Sequence, residues 1–194
     1  MTRKHRPTRN PFQTERARLR SRRQFLIGMA GGSLALLFPL SGRSDTGTTG
    51  TDTYAVLDAV VNHLLPSEVD SPGAKDIHAL DYFRFVIDDS TQDAEERDFL
   101  RQGTVWLDAL SQEREQRGFT ALDADARERI LRQVEQSQAG ENWLSTVLLT
   151  LMEAVLTDPV YGGNFEQRGW KWLQHTPGYP RPPKDKTYPE LLKS

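Results

Sequence analysis

Residues 143–156 constrain the chain more than any other stretch. Trp143, Leu144, Val147, Leu148, Leu151, Met152, Val155 and Leu156 recur at steps of three and four, which is the period of a helix and not of a strand. The stripe is nearly continuous. It reads as the central core helix, beginning at Glu141 or Asn142 after Gly140 and ending at Asp158-Pro159. The same period holds upstream. Val56, Leu57, Val60, Val61, Leu64 and Leu65 make one broad apolar stripe over 54–65, capped by Asp52 or Thr53 and stopped by Pro66. A second helix is expected over about 75–88, with Ile77, Leu80, Phe83 and Ile87 inward. A third, over 94–117, carries Phe99, Leu100, Val105, Trp106, Leu107 and Leu110 and closes at Gly118. A fourth runs over 123–137 with Ile130, Leu131 and Val134, and a short helix is expected around 165–173. No segment keeps the two-residue alternation of a strand, and no repeat stands out. The expected fold is all-α, a single domain of five or six helices.

Ahead of it lies a segment of different character. Residues 1–23 hold nine basic side chains against one acid, Glu15, a charge of +8; the whole chain is −2, so everything after Arg23 sums to −10. The helical part is acidic, and a basic patch for nucleic acid is excluded from it. Ser21-Arg22-Arg23-Gln24-Phe25-Leu26 runs into an uncharged, glycine-bearing apolar stretch over 25–38. As a helix that stretch is about 21 Å long, short of the ~30 Å hydrocarbon core. A paired arginine ahead of a short apolar run is the twin-arginine export pattern, with Arg22, Arg23, Phe25 and Leu26 as its signal residues. No clean small-x-small cleavage site comes after it; the nearest residues are Leu40-Ser41-Gly42, so the segment is either cleaved or retained as a weak anchor. The expected organisation is a signal segment over 1–41, a Gly/Ser/Thr linker over 42–53, a helical domain over 54–176 and a proline-rich tail over 177–194, extended and either loose or laid over a surface.

The chemistry that the sequence offers is sparse. There is no cysteine, which removes disulfides, Cys-ligated zinc, an iron–sulfur cluster held by this chain, a thiol nucleophile and a lipid-anchored N-terminal cysteine. His63, His78 and His175 do not form the Glu-x-x-His pairs of a di-iron bundle. His63 lies at the edge of an apolar stripe and reads as a boundary residue with a hydrogen bond. Nucleophile-elbow, dinucleotide and phosphate-loop patterns are missing. Asp88-Asp89 and Glu95-Glu96 sit at expected helix ends, where acids act as caps and first-turn charges.

The most specific stretch of the domain is Asp158-Pro159-Val160-Tyr161-Gly162-Gly163-Asn164. Asp158 can accept backbone amides while Pro159 sets the turn. Gly162-Gly163 allows positive φ or a close approach, and Asn164 can cap the short helix after it. Tyr161, Trp170, Trp172 and Tyr179 lie close by in sequence. A tight connector and a partner interface both fit, the interface built from Asp158, Pro159, Tyr161, Gly162, Gly163, Asn164 and Trp170. On the interface reading, a charge at Gly162 or Gly163 weakens assembly more than folding.

The chain resembles the gluconate 2-dehydrogenase subunit 3 family, the small (gamma) subunits of membrane-bound flavin-dependent sugar and sugar-acid dehydrogenases. The resemblance covers about 54–179. Its carriers are the twin-arginine head, Leu64-Leu65-Pro66 with Pro72-Gly73-Ala74 after it, and above all Asp158-Pro-x-Tyr-Gly-Gly-Asn164 with Gly169-Trp170 beyond it. The resemblance implies a non-catalytic subunit without a cofactor of its own. FAD sits in a catalytic partner subunit, a cytochrome c subunit takes the electrons, and the small subunit brings the folded pair to the twin-arginine translocase. The product is periplasmic and membrane-associated through the complex or an uncleaved signal. The family's Ala-rich cleavage site is not evident here, and the tail after Pro180 is long. The alternative is an independent exported helical binding protein tethered by its signal. A metal-dependent enzyme would need ligand spacing that the sequence lacks.

Overall fold

The computed structural model describes residues 51–89, 91 and 93–192. All described residues belong to one compact unit. The expected signal segment over 1–41, with Arg22, Arg23, Phe25 and Leu26, lies outside the described residues, as does the linker up to residue 50.

Among the described residues there are seven helices and no strand: α1 (Thr53–Leu64), α2 (Ala79–Asp88), α3 (Ala94–Glu115), α4 (Ala124–Glu135), α5 (Gln138–Leu156), α6 (Arg168–Trp172) and α7 (Tyr188–Leu191). The expected all-α class is the observed one. Four of the five long helices start at a side-chain cap. Asp52 accepts from the Tyr54 and Ala55 amides, Asp93 from Glu95, Asp123 from Ala126 and Ser137 from Gly140. Each cap satisfies amides that a helix start otherwise leaves without partners.

The two most apolar helices form the middle. α1 and α5 pack against each other, and each also touches α2, α3 and α4. α1 contributes Val56, Leu57, Val60 and Val61, α5 contributes Trp143, Val147, Leu151 and Val155, and Phe83 and Ile87 of α2 close over them. Trp143 keys α5 to α3. Its indole N–H donates to the Leu100 carbonyl at 3.2 Å. A methyl group at Gly103 would lie 2.0 Å from that nitrogen, so the ring occupies the space that a side chain would take. No described helix is long and apolar enough to cross a membrane.

The structure moves several expected boundaries. α2 begins at Ala79, not near Lys75. The preceding stretch is a tight turn: Asp76 accepts from Gly73 N at 2.8 Å and from the Ser67 hydroxyl, and Ala74 N bonds back to Leu65 O at 2.7 Å. α3 stops at Glu115, where Gln116 takes the left-handed conformation (φ 56°) expected of Gly118. α4 ends at Glu135, and α5 starts five residues before Trp143. Gly140 therefore lies inside the first turn of α5, pressed against the Val134 carbonyl, instead of punctuating the chain. The short helix expected around 165–173 is a 3-10 turn, Phe165–Gln167, followed by α6. Val105 is exposed, and Phe99 and Trp106 meet edge-to-face at 6.1 Å while only half-buried.

The packing of α3 on α5 makes a sharp prediction. Gly→Ala within a helix ordinarily gains up to about 1 kcal/mol. Gly103→Ala is expected to lose about 1–2 kcal/mol net, because the methyl overpacks the Trp143 ring. Trp143→Ala is expected to lose about 3–5 kcal/mol. Urea titration followed by circular dichroism measures both, and a stabilised Gly103→Ala protein would show that the contact is loose.

Candidate functional site

The Asp158–Asn164 stretch is a clasp with a fully buried amide at its centre. α5 ends at Leu156 and a 3-10 turn, Pro159–Tyr161, comes after it. Asp158 starts that turn by accepting from Val160 N at 3.0 Å. The chain then passes through Gly162 at φ 101° and Asn164 at φ 50°. Asn164 is 0% exposed. Its amide donates to the Thr157 carbonyl at 2.8 Å, and its oxygen accepts from Gly169 N at 2.9 Å and Trp170 N at 3.4 Å. One side chain thereby ties the end of α5 to the start of α6. Trp170, 4% exposed, completes the tie by donating its indole N–H to Leu156 O at 2.7 Å.

The two glycines are places of close approach. A Cβ at Gly162 would come within 3.1 Å of the Asp81 backbone in α2, at a φ that side chains rarely take. A Cβ at Gly163 would lie 2.7 Å from the Ala154 carbonyl. A charge at either position therefore acts on this chain's own packing first, before it reaches any partner. The clasp also holds α2. Phe165 N bonds to Ile77 O at 3.1 Å, the Phe165 ring stacks on His78 at 4.0 Å, and Tyr161 meets Phe85 at 5.3 Å. The Tyr82 hydroxyl donates to Glu153 at 3.4 Å, and burial and that carboxylate push it up to about 12.

The structure sorts the expected interface residues by depth. Gly163, Asn164 and Trp170 are buried within this chain, while Asp158, Pro159, Tyr161 and Gly162 are half-buried. The exposed rim of the clasp consists of Phe165, Trp172 and Leu173. His63 is a boundary residue with a hydrogen bond, its Nε2 2.9 Å from Glu128. Among the described residues no group of three His, Cys, Asp or Glu side chains is placed to hold a metal ion.

Two features go beyond the sequence expectations. The first is the path of the tail. Arg181 returns to the clasp and forms a forked pair with Asp158, at 2.7 and 3.0 Å, with its guanidinium 5.2 Å from the Trp170 ring centre. The tail is laid over a surface, and Thr187 is buried. The second is the outer face of α5. Leu148, Leu149, Met152 and Leu156 are 41–48% exposed, although Leu148, Met152 and Leu156 belong to the stripe expected to be core. Ten apolar positions in the 14 residues 143–156 make a band wider than the roughly 100° face that a one-sided helix buries. That width was the available signal.

Asn164→Ala would leave the Thr157 carbonyl and the Gly169 amide without their partner, and alanine disfavours φ 50°. A loss of about 2–4 kcal/mol is expected, read by urea titration. The Arg181 guanidinium, with the Val160 amide, holds the Asp158 carboxyl below its ordinary range against the opposing effect of partial burial. A depressed folded pKa means that the pair stabilises above the carboxyl's ordinary pKa and is lost as pH falls through the folded one. Arg181→Ala is therefore expected to melt earlier than the wild type at neutral pH, the gap closing below about pH 4. Melting curves across pH check this, and a pH-independent gap would assign Arg181 to packing on Trp170 alone.

No curated protein and no solved structure matches the chain. The family described as gluconate 2-dehydrogenase subunit 3 matches residues 51–178. That span covers α1 through α6, the clasp with its central Asn164, and the apolar face of α5. The chain belongs to the gluconate 2-dehydrogenase subunit 3 family.

Proposed function

We propose that this chain is the non-catalytic small subunit of an exported FAD-dependent dehydrogenase of the gluconate or sugar type, and that it escorts and stabilises the catalytic flavoprotein. The observation that carries the reading is the family match across the whole clasped domain, residues 51–178. The +8 head with Arg22-Arg23 before the apolar run over 25–38 supports the escort role. Twin-arginine export carries folded cargo, and a cofactor-loaded partner gives folded export its purpose. FAD belongs to that partner, and no residue of this chain is assigned to hold it. A cytochrome c subunit completes the path for electrons. The assembly works at the periplasmic side of the membrane.

In the host, Arg22→Lys with Arg23→Lys is expected to strand both this chain and a flavoprotein in the cytoplasm. Periplasmic dye-linked dehydrogenase activity should fall to background. Cell fractionation with flavin fluorescence measures it. Undiminished periplasmic activity in that variant, or in one lacking residues 21–38, would remove the escort role.

A further inference from the structure

The outer face of α5 is a line, not a scatter. Leu144, Leu148, Met152 and Leu156 recur every fourth residue, so they run along the helix for about 18 Å. Leu144 is half-buried and the other three are 41–48% exposed. Single exposed apolar side chains are ordinary, whereas a continuous exposed line marks a contact surface. Beside the line lies a groove of about 320 Å³ between α4 and α5, whose apolar lining includes Leu131, Leu144 and Leu148. Glu128, Glu135 and Glu141 stand on it against one guanidinium, Arg132, which leaves the rim at −2.

The charge narrows the occupant. A second copy packed through the same face would bring this −2 rim against its own image, which like-charge repulsion opposes. An anionic membrane surface is opposed for the same reason. A ridge of residues four apart beside a groove between two helices is the shape that receives an amphipathic helix, its apolar side chains spaced three and four apart. We propose that this face seats a helix of the catalytic flavoprotein whose apolar stripe is flanked by Lys or Arg. The proposal rests on the reading of the chain as an accessory subunit and adds to it the surface and the chemistry of the contact. The four side chains on the line supply the apolar core of an interface of ordinary size, about 800 Å² per partner, and the glutamates supply its rim.

The test uses the full chain purified from its host with whatever flavoprotein accompanies it. A photo-crosslinking benzoylphenylalanine replaces Met152 in one version and Gln102 of α3 in another. Crosslinks from position 152, and not from 102, to a helix of the flavoprotein bearing Lys or Arg are expected by mass spectrometry. The double variant Leu148→Asp, Met152→Asp should lose co-purified flavin by about thirtyfold or more, as for a central interface anchor, while the chain still unfolds cooperatively, because both side chains are only half covered within it. Glu135→Lys with Glu141→Lys should weaken retention and reverse its salt dependence. Crosslinks from 152 to a second copy, to a cytochrome or within this chain would overturn the proposal. So would full flavin retention by the double aspartate variant. In each case a wild-type chain that still brings the flavoprotein leaves the subunit reading standing, whereas a wild-type chain that brings none defeats that reading and this one together.

Discussion

The carboxamide of Asn164 is the constraint on which the joint between α5 and α6 depends. A buried amide must satisfy both its donor and its acceptor sides, because water cannot reach it. Asn164 does so with the Thr157 carbonyl on one side and the Gly169 and Trp170 amides on the other. Those groups belong to the end of α5 and the start of α6, so the bonds leave one geometry for the chain between them. That geometry sets the approach of Gly162 to α2, the seat of Trp170 under Leu156 and the position of Asp158 for the returning Arg181. The residues from Asp158 to Asn164 thus act largely inside this chain, by holding a shape.

The shape they hold presents α5 with two apolar faces. The inner one, with Trp143, Val147, Leu151 and Val155, is closed by α1, α2 and α3. The outer one, with Leu148, Leu149, Met152 and Leu156, meets solvent in the isolated chain. Exposed apolar area forgoes stabilisation of roughly 25 cal/mol per Å², a persistent disadvantage that covering by another subunit removes.

Local signals in the sequence proved as local as the physics behind them. The helix starts at Asp52 or Thr53 and at Asp123 were legible because a cap depends on amides two or three residues away, and the structure gives the caps to Asp52 and Asp123. The apolar stripe of α1 was legible because Val56, Leu57, Val60, Val61, Leu64 and Leu65 keep one helical period on one side. Gly140 and Gly118 mislead for a related reason: both are glycines beside helix ends, and only packing separates them. At Gly140 the neighbouring Val134 carbonyl explains the missing side chain, while at the end of α3 Gln116 adopts the left-handed conformation itself. The turn before α2 was not legible because Asp76 and Ser67 form it by bonds over several residues.

The sequence by itself determined the all-α class, the existence and rough extent of the long helices, the separate basic head and the distinctiveness of the Asp158–Asn164 stretch. Periodicity, charge and special backbone residues are properties of the chain alone. Only the tertiary structure decided which side of α5 is core, that Asn164 and Trp170 point inward, and that Arg181 comes back to Asp158. A helix with apolar residues around most of its circumference has no intrinsic inside. Which face is inside depends on the direction from which its neighbours arrive, and here α1, α2 and α3 cover one side and leave the other open.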